Sequence, residues 1–96
     1  MTLRVRLTPR AVADIKAIAR YTTKNWGHAQ CQSYLRSLDD RIRWLAEHPP
    51  SGRARNDIAD NSRSYRHNAH IVFYRISPNG MDVLAVVHGA MDIDGV

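Results

Sequence analysis

The feature that most constrains the fold is a change in the spacing of apolar residues halfway along the chain. In the first half they recur every three or four residues, on two stretches separated by Gly27, which is the spacing of an amphipathic helix. After Pro49 and Pro50 the spacing becomes two, as in a strand. The sequence therefore predicts two long helices followed by strands, with one helical layer packed on a sheet.

Local signals mark where the two helices begin and end. Thr8 is a typical N-cap residue, and Pro9 stands at the first helical position. The second helix should begin directly after Gly27 and stop near Glu47, because Pro49 cannot continue a helix and restricts the residue before it. Two helices joined at a single glycine form an antiparallel hairpin.

The strands are indicated by alternation and by turn residues. They are predicted at residues 3–7, 64–67, 69–76 and 81–88. Ser-Pro-Asn-Gly at residues 77–80 is a hairpin turn between the last two, and residues 49–62 form a polar connection. The prediction is one α+β domain over residues 1–96: an N-terminal strand, an α-helical hairpin, then a three-stranded antiparallel sheet whose edge includes the N-terminal strand.

Both faces of the long strands are apolar, although one helical hairpin covers only one face of a sheet. The uncovered face would carry one of two sets of side chains: Ile71, Phe73 and Arg75, or Val72, Tyr74 and Ile76. We expect that face to remain exposed as a partner site unless the connection at residues 49–62 or the C-terminal tail folds over it.

The net charge indicates which kind of partner the protein binds, and the cysteine content indicates the cellular compartment. Fourteen Lys and Arg against nine Asp and Glu give a net charge of +5, and arginine suits carboxylates and phosphates. An acidic protein or a nucleic acid is the expected partner. The single cysteine, Cys31, excludes an intramolecular disulfide and is expected to be buried. With no long apolar run and no leader pattern, we expect a cytoplasmic protein with no membrane partner.

Short motifs stand in order along almost the whole chain. They are the segment at residues 7–15, Trp26-Gly27, residues 45–49, His70-x-x-Phe73-Tyr74-Arg75 and His88-x-x-Met91-Asp92. Together they resemble ParE-type toxins of the RelE/ParE toxin–antitoxin superfamily. The resemblance implies the RelE/ParE toxin fold and a cytosolic toxin encoded beside an antitoxin.

The resemblance also implies partners and a mode of action. ParD-like antitoxins dimerise through a ribbon-helix-helix domain that binds operator DNA, and they wrap the toxin with a C-terminal segment, typically in a heterotetramer or larger complex. Toxins of the ParE branch inhibit DNA gyrase by binding, without cofactor or metal. On this basis we expect a toxin involved in plasmid stabilisation that is not an enzyme.

Site residues were assigned to two partners. For the target we predict contacts from Arg63, Arg66, Arg75, His88, Met91 and Asp92. For the antitoxin we predict contacts from Ile71, Phe73, Trp26 and Trp44. The alternative for the arginines is structural, with Arg75 and its neighbours paired to Asp82 or Asp92, and the alternative for the tryptophans is packing within the fold.

Two other functions stay open. A RelE-like, ribosome-dependent mRNA endonuclease would need an acid, a base and cations on the phosphate, for which His70, His88 and Arg75 are the candidates. The resemblance disfavours it, because Ile71 and Gly89 stand near the positions where such relatives carry catalytic side chains. A non-toxic co-repressor acting with its antitoxin is the other alternative. No metal site is predicted, since nothing supplies three converging ligands.

Overall fold

A computed structural model describes residues 2–89 of the chain. The elements in order are β1 (Val5–Leu7), α1 (Pro9–Trp26), α2 (His28–Glu47), a 3-10 turn (Pro49–Ser51), β2 (Arg53–Ala54), β3 (Ser62–His67), β4 (His70–Ser77) and β5 (Gly80–His88). They form one five-stranded sheet in the order β1-β5-β4-β3-β2. The α+β fold is confirmed. The short β2, inside the polar connection, is an addition to the predicted strands.

The helix ends follow the sequence signals. The Thr8 hydroxyl oxygen accepts a hydrogen bond from the Ala11 amide at 3.1 Å, and its O–H donates to the Val83 carbonyl at 3.0 Å. The cap therefore also fastens α1 to β5. Gly27 adopts φ +92°, a conformation that side-chain-bearing residues rarely adopt, and so turns the chain between α1 and α2. The predicted helical hairpin is confirmed.

The N-terminal strand pairs differently from the other strands. β3, β4 and β5 are antiparallel, whereas β1 runs parallel to β5, with Val5 opposite Met81. The wholly antiparallel sheet expected from the sequence is therefore wrong at this edge. A parallel pair needs a long connection between its strands, and both helices and three strands separate β1 from β5 in the chain.

The main core lies between the helical hairpin and one face of the sheet. Leu38 and Leu45 of α2 pack there with Val72, Tyr74 and Val83, and all five are at most 2% exposed. The apolar stripes of the helices and alternate residues of β4 and β5 thus meet in one layer. Cys31 is buried, as predicted.

The second sheet face is covered by the chain itself. Ile71 and Phe73 are only 6% and 2% exposed, and Ile58 of the β2–β3 connection packs on them. The buried guanidinium of Arg55 lies 5.0 Å from the centre of the Phe73 ring. The expectation that this face stays open is therefore wrong, whereas the contact of Ile71 and Phe73 with an antitoxin stays a prediction. The stated alternative, a connection folded over the sheet, is what the structure shows.

Candidate functional site

An apolar groove lies between β1 and the helical hairpin. Its volume is about 560 Å³, and its apolar lining is Leu3, Val5, Leu7, Ile15, Leu35, Leu38, Ile42 and Ala46. The Leu3 amide donates to the Ala46 carbonyl at 3.0 Å, which holds the N-terminal segment against the end of α2. Leu7 leaves 44% of its surface exposed. We call this depression the apolar groove.

A second depression lies where the Gly27 turn of the hairpin meets the His70 and His88 ends of β4 and β5. It has a volume of about 390 Å³ and is lined by Tyr21, Thr22, Trp26, Gln30, Tyr34, Ala69, His70 and His88. We call it the aromatic pocket. Tyr21 and Trp26 form its outer wall and are 65% and 70% exposed. Large exposed aromatic side chains of this kind are typical of protein-binding surfaces.

The floor of the aromatic pocket is a neutral hydrogen-bonded cluster. Tyr34 Oη lies 2.5 Å from His70 Nδ1, and the His70 and His88 rings meet edge to face with centroids 5.5 Å apart. Burial lowers the pKa of His70, and the nearby charges of His88 and His67 lower it further. Burial raises the pKa of Tyr34. Both members of the Tyr34–His70 pair are therefore uncharged at neutral pH.

His67 joins the same end of the sheet to α2. Its Nε2 lies 2.9 Å from Ser37 Oγ, and Arg41 Nε donates to its Nδ1 at 3.4 Å. Burial lowers the pKa of His67, and the charge of Arg41 adds to the shift. Asn68 Nδ2 also lies 3.4 Å from Nε2, so both ring nitrogens have polar neighbours. The contacts with Ser37 and Arg41 tie the end of β3 to α2.

The arginines assigned to the target do not form one surface. Arg63 lies on the helix-facing side of β3, and its Nη1 donates to the Gly52 carbonyl at 2.7 Å. Arg66 and Arg75 lie on the opposite sheet face, beside Ile71 and Phe73. Their separation follows from the strand register, in which neighbouring residues point to opposite sides.

Arg75 is engaged in an ion-pair network. Its Nη2 lies 3.7 Å from Asp82 Oδ2, while Arg6 Nε donates to the other oxygen of that carboxylate at 2.9 Å. The structural alternative that paired Arg75 with Asp82 is confirmed. Two further predicted target residues, Met91 and Asp92, lie outside the described residues.

The candidate ribonuclease residues are only partly brought together. His70 and His88 are neighbours, but Arg75 is five residues further along β4 and on the other sheet face. At about 3.3 Å per residue that places it roughly 16 Å from His70. The three residues therefore do not form an acid, a base and a phosphate-binding cation around one bond. Among residues 2–89 no group of three or more His, Cys, Asp or Glu side chains could hold a metal ion.

The two tryptophans have different environments. Trp44 is half-buried, with its ring stacked on His48 at 4.7 Å and the Arg41 guanidinium 4.9 Å from its centre. It packs within the fold. Trp26 is exposed and lines the aromatic pocket with Tyr21, which was not among the predicted site residues. In the sequence, Tyr21 falls outside the core stripe of α1. That position predicts an exposed side chain but does not indicate a pocket formed with the sheet.

Comparison with solved structures identifies the fold. The fold is similar to a chain in the structure of a chromosomal ParDE toxin–antitoxin system from P. aeruginosa, with a TM-score of 0.77, 15% identity, and 91% of this chain and 96% of that one covered. It is also similar to a chain of the toxin–antitoxin complex RelBE2 from Mycobacterium tuberculosis, with a TM-score of 0.64, 20% identity and coverages of 92% and 99%. The architecture is that of the RelE/ParE toxins.

Sequence comparison narrows this class to one family. The model of the family described as the ParE toxin of the type II toxin–antitoxin system parDE matches residues 5–93. The chain is 37% identical over 95 residues to Toxin ParE1 of Mycobacterium tuberculosis, covering 98% of this chain and 97% of that protein. It is 33% identical over 87 residues to Toxin ParE1 of Caulobacter vibrioides, with coverages of 91% and 90%. The chain therefore belongs to the ParE toxin family of type II toxin–antitoxin systems. Neither helix within residues 2–89 is long and apolar enough to cross a membrane.

Proposed function

We propose that this protein is a toxin that inhibits DNA gyrase by binding it in the cytoplasm and is neutralised by a ParD-like antitoxin. The observation that carries the proposal is family membership over nearly the whole chain, with relatives named Toxin ParE1 at 33% and 37% identity. The separation of Arg75 from His70 and His88 favours action by binding over cleavage of RNA.

The apolar groove supports the antitoxin half of the proposal. It is a continuous depression between a short edge strand and two helices, the shape that an extended or helical segment of a wrapping partner would fill. The charged side chains in its lining are Arg43 and Asp39, which pair with each other at 2.8 Å, and the chain as a whole carries a net charge of +5. An acidic segment with apolar side chains therefore complements the groove and its surroundings.

A charge placed in the groove tests the antitoxin site. Leu7→Asp introduces a carboxylate at a 44% exposed groove position, where it would repel an acidic segment and remove apolar contact area. We expect antitoxin affinity to fall at least about tenfold, measured by titration calorimetry. Val12→Asp is the matched control, because Val12 is 37% exposed, outside the groove and in the first turn of α1, where a carboxylate is favoured. Equal affinity of Leu7→Asp and wild type would place the antitoxin elsewhere.

The target half is tested with purified toxin released from its antitoxin. One reaction follows supercoiling of relaxed plasmid by gyrase with ATP, and a parallel reaction follows mRNA on programmed ribosomes. We expect supercoiling to be lost while the mRNA remains intact. Cut mRNA with unaffected gyrase would instead establish the endonuclease alternative, and no effect in either reaction would favour the co-repressor role.

A further inference from the structure

We propose that the aromatic pocket is the surface through which the toxin engages its protein target, by receiving an apolar side chain from an acidic region of that target. This inference rests on the proposed function, since it assigns one of two partners to a particular site. Tyr21 and Trp26 would be the principal contacts, and His88 would contribute from the floor. Trp26 was assigned to the antitoxin from the sequence, and its place in this pocket favours the target.

Exposure is the first argument. Tyr21 and Trp26 are the two most exposed large hydrophobic side chains in the described part of the chain, at 65% and 70%. Both side chains line the same depression. Burying a Trp and a Tyr together on association supplies a large contact area at low conformational entropy, which is why these residues dominate binding energy at protein interfaces.

Charge at the rim is the second argument. The depression continues along α1 past Ala17 to Arg10, whose side chain is 62% exposed. Lys24 is exposed three residues after Tyr21 and so extends the same helix face at the other end. The rim of the pocket is thus cationic at both ends, which complements an acidic partner.

The one carboxylate lining this depression among the described residues is already engaged. Asp14 Oδ2 accepts a hydrogen bond from the Val86 amide at 2.9 Å and lies 3.5 Å from Arg10 Nε. Its side chain is 22% exposed. Asp14 therefore caps the open edge of β5 and partly balances the charge of Arg10, while Lys24 lies at the far rim.

A stable, neutral floor is the third argument. Tyr34 and His70 are hydrogen-bonded to each other, and their ring centroids lie 5.4 Å apart. Neutral aromatic rings without a buried charge favour an apolar anchor over an ionic one. The combination of an uncharged aromatic floor, an aromatic wall and a cationic rim fits an apolar side chain flanked by carboxylates.

The aromatic pocket and the apolar groove are separate surfaces. Their described lining residues have no member in common. The groove, with about 560 Å³ between β1 and the helical hairpin, fits a segment that wraps the toxin, whereas the pocket, with about 390 Å³, fits one anchor on a folded protein. Single substitutions can therefore distinguish a target contact from an antitoxin contact.

The test compares Trp26→Ala and Tyr21→Ala with wild type and with Val12→Ala, an exposed apolar position of α1 outside both surfaces. Growth arrest on expression reports engagement of whatever the target is, and gyrase affinity and antitoxin affinity are measured separately. We expect Trp26→Ala to lower target affinity about 30-fold and to relieve growth arrest, with antitoxin affinity within about twofold of wild type.

Lys24→Glu should weaken target binding and make it less dependent on salt. Trp26→Tyr should retain most of the activity.

Several results would overturn the pocket proposal. One is a Trp26→Ala variant that is as toxic as wild type. Another is a Trp26→Ala variant that loses antitoxin binding but keeps target binding. A third is a Trp26→Ala variant that loses only self-association, which would make the surface a dimer contact. A wild-type protein that is harmless would also overturn it. If wild type arrests growth without affecting gyrase, and Trp26→Ala does not arrest growth, then the gyrase proposal fails while the pocket stands.

Discussion

Removing the hydroxyl of Tyr74 should destabilise the fold measurably, because that group bridges β4 to the 3-10 turn. The O–H donates to the Pro49 carbonyl at 2.6 Å, and the hydroxyl oxygen accepts from the Gly52 amide at 2.9 Å. Tyr74 is 0% exposed, and Gly52 is buried beside it. Tyr74→Phe keeps the ring in the core and leaves two backbone groups without their partner.

The expected loss follows from the surroundings of those two groups. A buried amide left unpaired costs about 1–3 kcal/mol, whereas the half-exposed Pro49 carbonyl can regain water. We expect the free energy of unfolding to fall by about 2 kcal/mol, out of a total of about 5–15 kcal/mol for a small domain. With a urea m-value of about 1–2 kcal/mol/M, the midpoint should fall by about 1–2 M.

Urea unfolding followed by circular dichroism measures this shift. Tyr65→Phe is the matched control, since Tyr65 is half-exposed on the same face of the sheet and its hydroxyl donates no hydrogen bond within the described residues. The control should change stability by less than about 0.5 kcal/mol. If Tyr74→Phe lost no more than Tyr65→Phe, the bridge from β4 to the turn would not exist as described.

Two further predictions concern the backbone and pH. Gly80 has φ +140°, and a Cβ at this position would overlap the Arg4 carbonyl oxygen. Gly80→Ala should therefore lower the free energy of unfolding, measured with urea, by about 2 kcal/mol or more. A neutral effect would contradict the β1–β5 register. His67 and His70 have folded-state pKa values lowered mainly by burial, so the unfolded chain binds more protons, and stability should fall as pH drops below about 6.5. Urea midpoints between pH 7.5 and 5.5 should show this decline, and a His67→Asn, His70→Gln variant should flatten it; an unchanged slope would contradict neutral imidazoles in the fold.

Much of the architecture could be predicted because it depends on local signals. The ends of the helices are set by the cap at Thr8, the positive φ at Gly27 and the missing amide hydrogen at Pro49. All three effects act within a few residues. The hairpin of β4 and β5 follows from alternation and from the turn ending at Gly80.

The sequence could not show that the β2–β3 connection covers the second sheet face, because this covering depends on contacts between segments that are distant in the chain. Ile58 is one apolar residue in a polar connection, and Arg55 is an arginine in the same segment, so neither has a periodic pattern. Their burial on Phe73 arises from the tertiary path of the chain. For the same reason, the sequence wrongly predicts that the side chains of Ile71 and Phe73 are exposed.

The strand register decides which of the predicted site residues become neighbours. His70 and His88 are paired across β4 and β5, as their positions at the strand ends indicate. Arg63 and Arg75 were both predicted as target contacts on the sheet. The register pairs Arg63 of β3 with Tyr74 of β4, and Arg75 is the next residue along β4, so the two arginines lie on opposite faces. Tyr21 was missed because a helix stripe predicts the buried face and says little about a pocket formed with the sheet.

The most direct test of gyrase inhibition is the trapping of broken DNA. Gyrase, plasmid and purified toxin are incubated with ATP, the complex is denatured with detergent and digested with protease, and linear plasmid is quantified. We predict that linear DNA accumulates with toxin dose and that antitoxin added beforehand prevents it. Intact plasmid with undiminished supercoiling, at toxin concentrations that arrest growth, would contradict gyrase as the target.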